Sequence, residues 1–420
     1  MEFKRKSPWS FIPTQYFAEG LPYVIVNTLS VAMYKSLGIS NELIGITSLL
    51  YLPWAIKFLW GPFVDANLTK RKWLLMMQLA IGICFILMSF LLQIPDIFLL
   101  SVLVFTVIAF LSATHDISTD GFYLHALEQK EQAFFTGIRS TFYRLSMIFG
   151  SGLLVASAGW IGSQTNDRTG WTVIFIISGI LFLSLYFYHN WILPYPVTDK
   201  PVKNDVEEKS TIPFFKVFRD YFSQPKIVPI LSYILLYRLG EGLLVKMAQP
   251  FFLDKTTLGG LNLTLGQVGL MYGTFGVISL VAGGILGGWL IKKFSLKKLI
   301  WYFAFAMNLP NLLYAYMAYF SPGELIVQIC IIIEQFGYGL GFTAYMVYLL
   351  YISRGEFKTS HFAISTGLMA IGMMIPGLFS GFLQQEVGYF WLFLLSFIFT
   401  IPGMITIFFL PIYENNDNKS

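Results

Sequence analysis

Two apolar runs flank a basic loop in the stretch that decides the fold. They are Glu42–Val64 (ELIGITSLLYLPWAIKFLWGPFV) and Trp73–Gln93 (WLLMMQLAIGICFILMSFLLQ), with Asp65 and the triplet Lys70-Arg71-Lys72 between them. About 20 predominantly apolar residues cover the hydrocarbon core of a bilayer, so each run is long enough to cross it as a helix. Working outward, the same alternation recurs along the whole chain and predicts twelve spans, with roughly Ser10–Tyr34, Ile97–Leu124, Ala133–Trp160 and Trp171–Leu193 completing the first six. The second six are Ile227–Phe252, Leu265–Ile291, Leu299–Phe320, Glu324–Ser353, Thr359–Gln385 and Tyr389–Ile412.

Composition agrees. Of 420 residues 56% are hydrophobic, 12% are charged and the mean hydropathy is +0.65, whereas a soluble domain carries about 25% charge. Lipid must therefore solvate much of this surface, and the 18% aromatic content suits interfacial belts as well as packing. With twelve spans the basic residues partition unevenly. Twenty Lys/Arg fall on the side of the termini, among them Lys4, Arg5, Lys203, Lys209, Arg354 and Lys419; only Lys35, Arg168 and Lys255 fall opposite, and five lie within spans. Positive loops stay cytoplasmic, so both termini are expected there. The net charge of +5 is thus a topology signal and not a nucleic-acid surface. No cleavable signal peptide is expected, because Met1–Ser7 is basic and polar and no short apolar segment with a small-residue cleavage site follows. Cys84 and Cys330 sit in apolar segments and indicate neither a disulfide nor a metal site.

The chain reads as two halves: residues 1–193 as one six-helix bundle, 194–224 as a cytoplasmic linker, and 225–420 as a second bundle, with Ile212–Phe222 a candidate amphipathic surface helix. The halves echo one another. Glu19-Gly20-Leu21 matches Glu241-Gly242-Leu243, and Gly61 to Lys72 matches Gly287 to Lys298 in order and spacing. Two parallel six-helix repeats describe the major facilitator arrangement, an all-α integral membrane fold. Glycines of spans 5, 8 and 11, among them Gly152, Gly283, Gly288, Gly377 and Gly381, are expected to let helices pack closely.

The residues between Phe17 and Gly150 carry a family resemblance. The runs Phe17-Ala18-Glu19-Gly20-Leu21-Pro22, Ile44-Gly45, Lys57-Phe58-Leu59-Trp60-Gly61-Pro62 with Asp65, and Ala113-Thr114-His115-Asp116-Ile117 with Asp120 resemble the AmpG branch of the major facilitator superfamily, which is related to acetyl-CoA transporters. Gly137, Arg139, Tyr143-Arg144, Met147 and Gly150 are similar to it as well. The resemblance implies a secondary active transporter of the bacterial inner membrane, importing anionic, cell-wall-derived muropeptides by proton symport and alternating access. A carrier of a CoA ester or other small metabolite, and a non-transporting receptor, are the alternatives. His115 stands where the family usually has Gln, and Glu19 where a small residue is common.

Charges within spans are expensive, so each is a functional candidate. Glu19, Asp116, Asp120 and Glu241 are the candidates for proton coupling. Asp116 and Asp120 are four apart on one helical face, and Glu19 and Glu241 fall near mid-bilayer in matching spans. Pairing of Asp116 with Arg139 or Arg144, and of Glu241 with Arg238, are the competing structural readings. Tyr16, His115, Arg139, Tyr143, Arg144, Arg238 and Lys246 are candidates for contact with an anionic solute, since Arg offers a planar fork for carboxylate or phosphate. Asp65 with Lys70, Arg71 and Lys72 resembles the superfamily's loop between spans 2 and 3, which implies a gate latch at Asp65 and Arg71, and Glu334 is read as structural. No Walker-type phosphate loop and no metal-spaced His/Cys cluster is present, so neither ATP drive, enzyme chemistry, a cofactor nor a metal is expected. The expected partners are a small solute, protons and the lipid bilayer, with the protein a monomer.

Overall fold

The computed structural model describes residues 6–200, 214–353 and 357–412, and these contain helices and no strands. Lys4, Arg5, Lys203, Lys209, Arg354, Lys419 and the first two residues of the surface helix lie outside them. A helix satisfies its backbone polar groups within itself, as a water-free environment requires. Nine helical stretches among the described residues are long and apolar enough to cross a membrane, and one of them runs 50 residues, Ser360–Phe409. Gly388, at φ 76°, breaks that stretch into spans 11 and 12. Span 1 is interrupted by a π-helical turn at Ile25–Leu29, and span 9 is split at Pro310 into Leu296–Asn308 and Asn311–Phe320. Counting these interrupted helices gives the expected twelve.

Caps set several helix starts. Thr69 accepts from the Lys72 amide, Asn166 from Thr169, and Thr264 from Gln267. Span 3, Lys70–Leu91, has a further anchor: Asp199 accepts from the Lys70 and Arg71 amides at 2.7 and 3.0 Å.

The described chain clusters into two compact units that interleave in sequence. The first holds residues 6–39, 56–200 and 264–274. Its core includes Phe11, Leu74, Phe122 and Phe135. Span 1 approaches span 5 so closely that a Cβ at Gly20 would lie 2.1 Å from Ser146 Oγ. The opening of span 8 joins this unit: a Cβ on Gly273 would lie 2.0 Å from Ser151 O, and Gly269 faces Gly152 O. An apolar cavity of about 340 Å³ lies among Trp60, Trp73, Phe110 and Thr114, and none of the ionisable candidates lines it.

The second unit holds 40–55, 214–263 and the described chain from 275 on. Tyr233, Tyr237, Tyr345 and Tyr348 stack at its centre. The opening of span 2 belongs to it: Gly45 packs on Gly377, Leu378 and Gly381, and a Cβ on Gly381 would lie 1.8 Å from Asn41 O. Gly45 and Gly269 occupy repeat-equivalent positions, so each unit takes in the first part of a helix from the other sequence half. Close packing at Gly152, Gly283, Gly377 and Gly381 follows the expectation. Gly288 departs from it, since a Cβ added there would meet no atom within 4 Å. The surface helix runs Phe214–Phe222. Val217 and Tyr221 bury against Phe357 and Ile364, and the Tyr221 and Ser365 hydroxyls lie 2.8 Å apart.

Candidate functional site

In the first unit, five ionisable side chains from four spans converge. Span 1 contributes Glu19, span 2 Lys57, span 4 Asp116 and Asp120, and span 5 Arg139. Lys57 Nζ forms an ion pair with Asp116, and Arg139 donates to Asp120 Oδ1 at 3.0 Å. Tyr16 donates to the same Asp120 oxygen at 3.0 Å and accepts from Arg139 at 3.2 Å. The guanidinium also lies 5.1 Å from the ring centre of Tyr123. Glu19 is buried near the Asp116 carboxyl and keeps Oε2 without a partner.

Charge counting gives this cluster its chemistry. Three carboxyls face two cations. Lys57 matches Asp116 and Arg139 matches Asp120, so Glu19 is left over. A proton on Glu19 makes the group neutral. Without it, two carboxylates would meet in a poorly solvated place. The helical face shared by Asp116 and Asp120 was legible in the sequence. The sequence offered Arg139 or Arg144 as the partner of Asp116; Asp116 pairs instead with Lys57, and Arg139 serves Asp120, because tertiary packing decides which side chains of spans 2 and 5 reach this face.

His115 lies elsewhere in this unit's interior. It is 1% exposed, accepts from Gln78 Nε2 at 3.1 Å and has Thr119 Oγ1 at 3.5 Å from Nδ1. Gln78 Oε1 lies 3.0 Å from His189 Nδ1, and His189 Nε2 lies 2.9 Å from Thr14 Oγ1. This chain ties spans 1, 3, 4 and 6 together, and it occupies both nitrogens of His115. Gln78 and His189 were not singled out from sequence, since a lone Gln or His in an apolar run carries no spacing signal. Arg144 is half-buried and makes no hydrogen bond or ion pair among the described residues, while Tyr143 packs beside Gly20.

In the loop between spans 2 and 3, Asp65 and Arg71 each have a partner of their own. Asp65 pairs with Lys70. Arg71 donates to Asn190 O at 2.6 Å and covers the Tyr195 ring at 3.9 Å, which ties it to the end of span 6.

In the second unit, Arg238 grips Glu241 with both edges of its fork, at 2.8 and 2.6 Å. Tyr338 OH accepts from the same guanidinium at 2.9 Å. The pair is closed and nearly solvent-free, so Glu241 does not repeat the situation of its counterpart Glu19. Glu334 accepts from Gln335 at 2.9 Å and from Tyr314 at 3.3 Å. Lys246, on the helix that follows Arg238, has no such partner among the described residues.

A family model described as Major Facilitator Superfamily matches residues 14–355. The chain belongs to the Major Facilitator Superfamily. It is a multi-pass membrane transporter and not an enzyme. The AmpG-like character read from its motifs extends over most of its length. It is 26% identical over 395 residues to the anhydromuropeptide permease of Escherichia coli K12, covering 93% of this chain and 77% of that protein. It is 24% identical to an uncharacterized protein of Haemophilus influenzae, covering 96% and 94%. Among solved structures, a POT family transporter in complex with 5-aminolevulinic acid superposes with a TM-score of 0.72 at 12% identity, over 98% of this chain and 97% of that one; at that identity the likeness bears on the fold.

Proposed function

We propose that this transporter imports an anionic, muropeptide-like solute by proton-coupled alternating access, in a bacterial cytoplasmic membrane with both termini inside. The observation that carries the coupling is the odd carboxyl of the first unit: Glu19 beside Asp116, with Lys57 and Arg139 already matched by Asp116 and Asp120. Binding and release of one proton at Glu19 changes the charge of the cluster by one, and a carrier that alternates between neutral and charged clusters has the element that symport needs. Asp116 and Asp120 set the field around that proton, while Glu241 has its charge neutralised by Arg238, three residues before it in the same span. The relative named as an anhydromuropeptide permease supports the cargo class, and the excess of basic loops on the terminal side supports the orientation.

Reconstituted protein supplied with a labelled anhydromuramyl peptide is expected to accumulate it when the outside is acidic, and to lose accumulation with a protonophore. Glu19→Gln, a permanently neutral copy of the protonated state, is expected to keep downhill exchange and to lose accumulation. Accumulation by Glu19→Gln at the wild-type level would remove Glu19 from the coupling step. Uptake of a CoA ester in place of the peptide would move the cargo to the other branch.

A further inference from the structure

Lys246 lies eight residues beyond Arg238, within the helix Leu239–Leu253, about 12 Å further along the axis at 1.5 Å per residue. The residue is 9% exposed, and it makes no hydrogen bond or ion pair among the described residues. One turn on, Gln249 Oε1 is sealed and unpaired. One turn back on the same face, Gly242 is pressed against Met373 O and Pro376, where a Cβ would lie at 2.5 and 2.6 Å. The backbone there is fixed by packing, so the lysine stem has a defined origin.

A cation held at this depth needs a counter-charge. The buried acidic side chains of this unit are engaged elsewhere: Glu241 by the Arg238 fork, Glu334 by Tyr314 and Gln335, and Asp254, which caps the same helix, by Tyr389. Arg238 is occupied in turn by Glu241 and Tyr338, so it has little left to offer an incoming anion. Lys246 is therefore the basic side chain of this unit whose donors are uncommitted at membrane depth, among the described residues.

We infer that Lys246 is the receptor for a carboxylate of the cargo, and the residue by which the transporter selects an anionic over a neutral solute. This rests on the proposed cargo class and assigns the charge recognition within it. The three donors of an ammonium accept a carboxylate in many orientations, so Lys246 discriminates by charge and not by shape. The carboxylate supplies the missing counter-charge.

The test compares two probes in proteoliposomes, an anhydromuramyl peptide with free carboxylates and the same peptide with all carboxylates amidated. Wild type is expected to take up the free acid with a kcat/KM at least about tenfold above the amide, as befits a hydrogen bond to a charged group. Lys246→Met is expected to bring that ratio to about one, with its fold checked by the melting temperature of the purified protein; Lys246→Arg is expected to keep the preference. Should Lys246→Met not reach the membrane, Lys246→Gln is read in the same way. A Lys246→Met protein that retains the wild-type ratio overturns the inference and leaves the cargo class standing. A wild type that takes up neither probe overturns both.

Discussion

Replacing Glu241 by Gln tests the reading of the second unit most directly. Arg238 and Glu241 are 4% and 7% exposed at their side chains, and two hydrogen bonds of 2.8 and 2.6 Å join them. Removing the carboxylate leaves a guanidinium facing the Tyr338 hydroxyl and Met373 Sδ, neither of which carries charge. Breaking one side of such a pair costs about 3–5 kcal/mol, because the remaining charge is buried without compensation. At 1.4 kcal/mol per factor of ten, the lower figure is roughly a hundredfold in the folding equilibrium. The double variant Arg238→Met, Glu241→Leu removes both charges and keeps the volume, and it is expected to match wild type or to exceed its stability by up to about 4 kcal/mol. Equilibrium unfolding in bicelles of Arg238→Met, Glu241→Leu and the double variant gives the coupling energy directly. A Glu241→Gln protein destabilised by less than about 1 kcal/mol, with additive single substitutions, would refute the closed pair. Glu241 would then be neutral or solvated in the wild type, and its parallel with Glu19 would be restored.

Other expectations follow from close contacts elsewhere. Gly273→Ala places a Cβ 2.0 Å from Ser151 O and is expected to destabilise the first unit by about 1–3 kcal/mol in the same unfolding assay, whereas Gly288→Ala, which meets nothing within 4 Å, is expected to be silent. Equal effects at the two glycines would count against the packing argument. Gln78→Leu strands His115 and His189 in the interior and is expected to lower stability by about 1–3 kcal/mol; an unchanged melting temperature would show that the histidines find other partners. Asp199→Ala uncaps span 3 and is expected to cost about 1 kcal/mol, read as a loss of thermal stability that Asp199→Asn partly restores.

Span count, helical class and the likeness to AmpG permeases were readable from the chain alone, for a physical reason. A bilayer imposes one length and one hydrogen-bonding rule on every span, so apolar runs of about 20 residues between basic loops have a single economical reading. The list of ionisable residues at membrane depth was readable for the same reason, since each interrupts an apolar run. Interrupted helices were harder to delimit, and Gly388 separates spans 11 and 12 by a backbone turn and not by a loop. The three-residue spacing of Arg238 and Glu241 offered that pair from sequence, but tertiary structure decided which charges meet between spans. Glu19 and Glu241 hold equivalent places in the repeat, yet one is left over beside Asp116 and the other is gripped three residues away by Arg238. Partner choice depends on which side chains neighbouring spans bring to a given depth, and the one-dimensional spacing of residues carries no record of that. The same holds for Lys246, whose lack of a partner among the described residues is a property of everything packed around it.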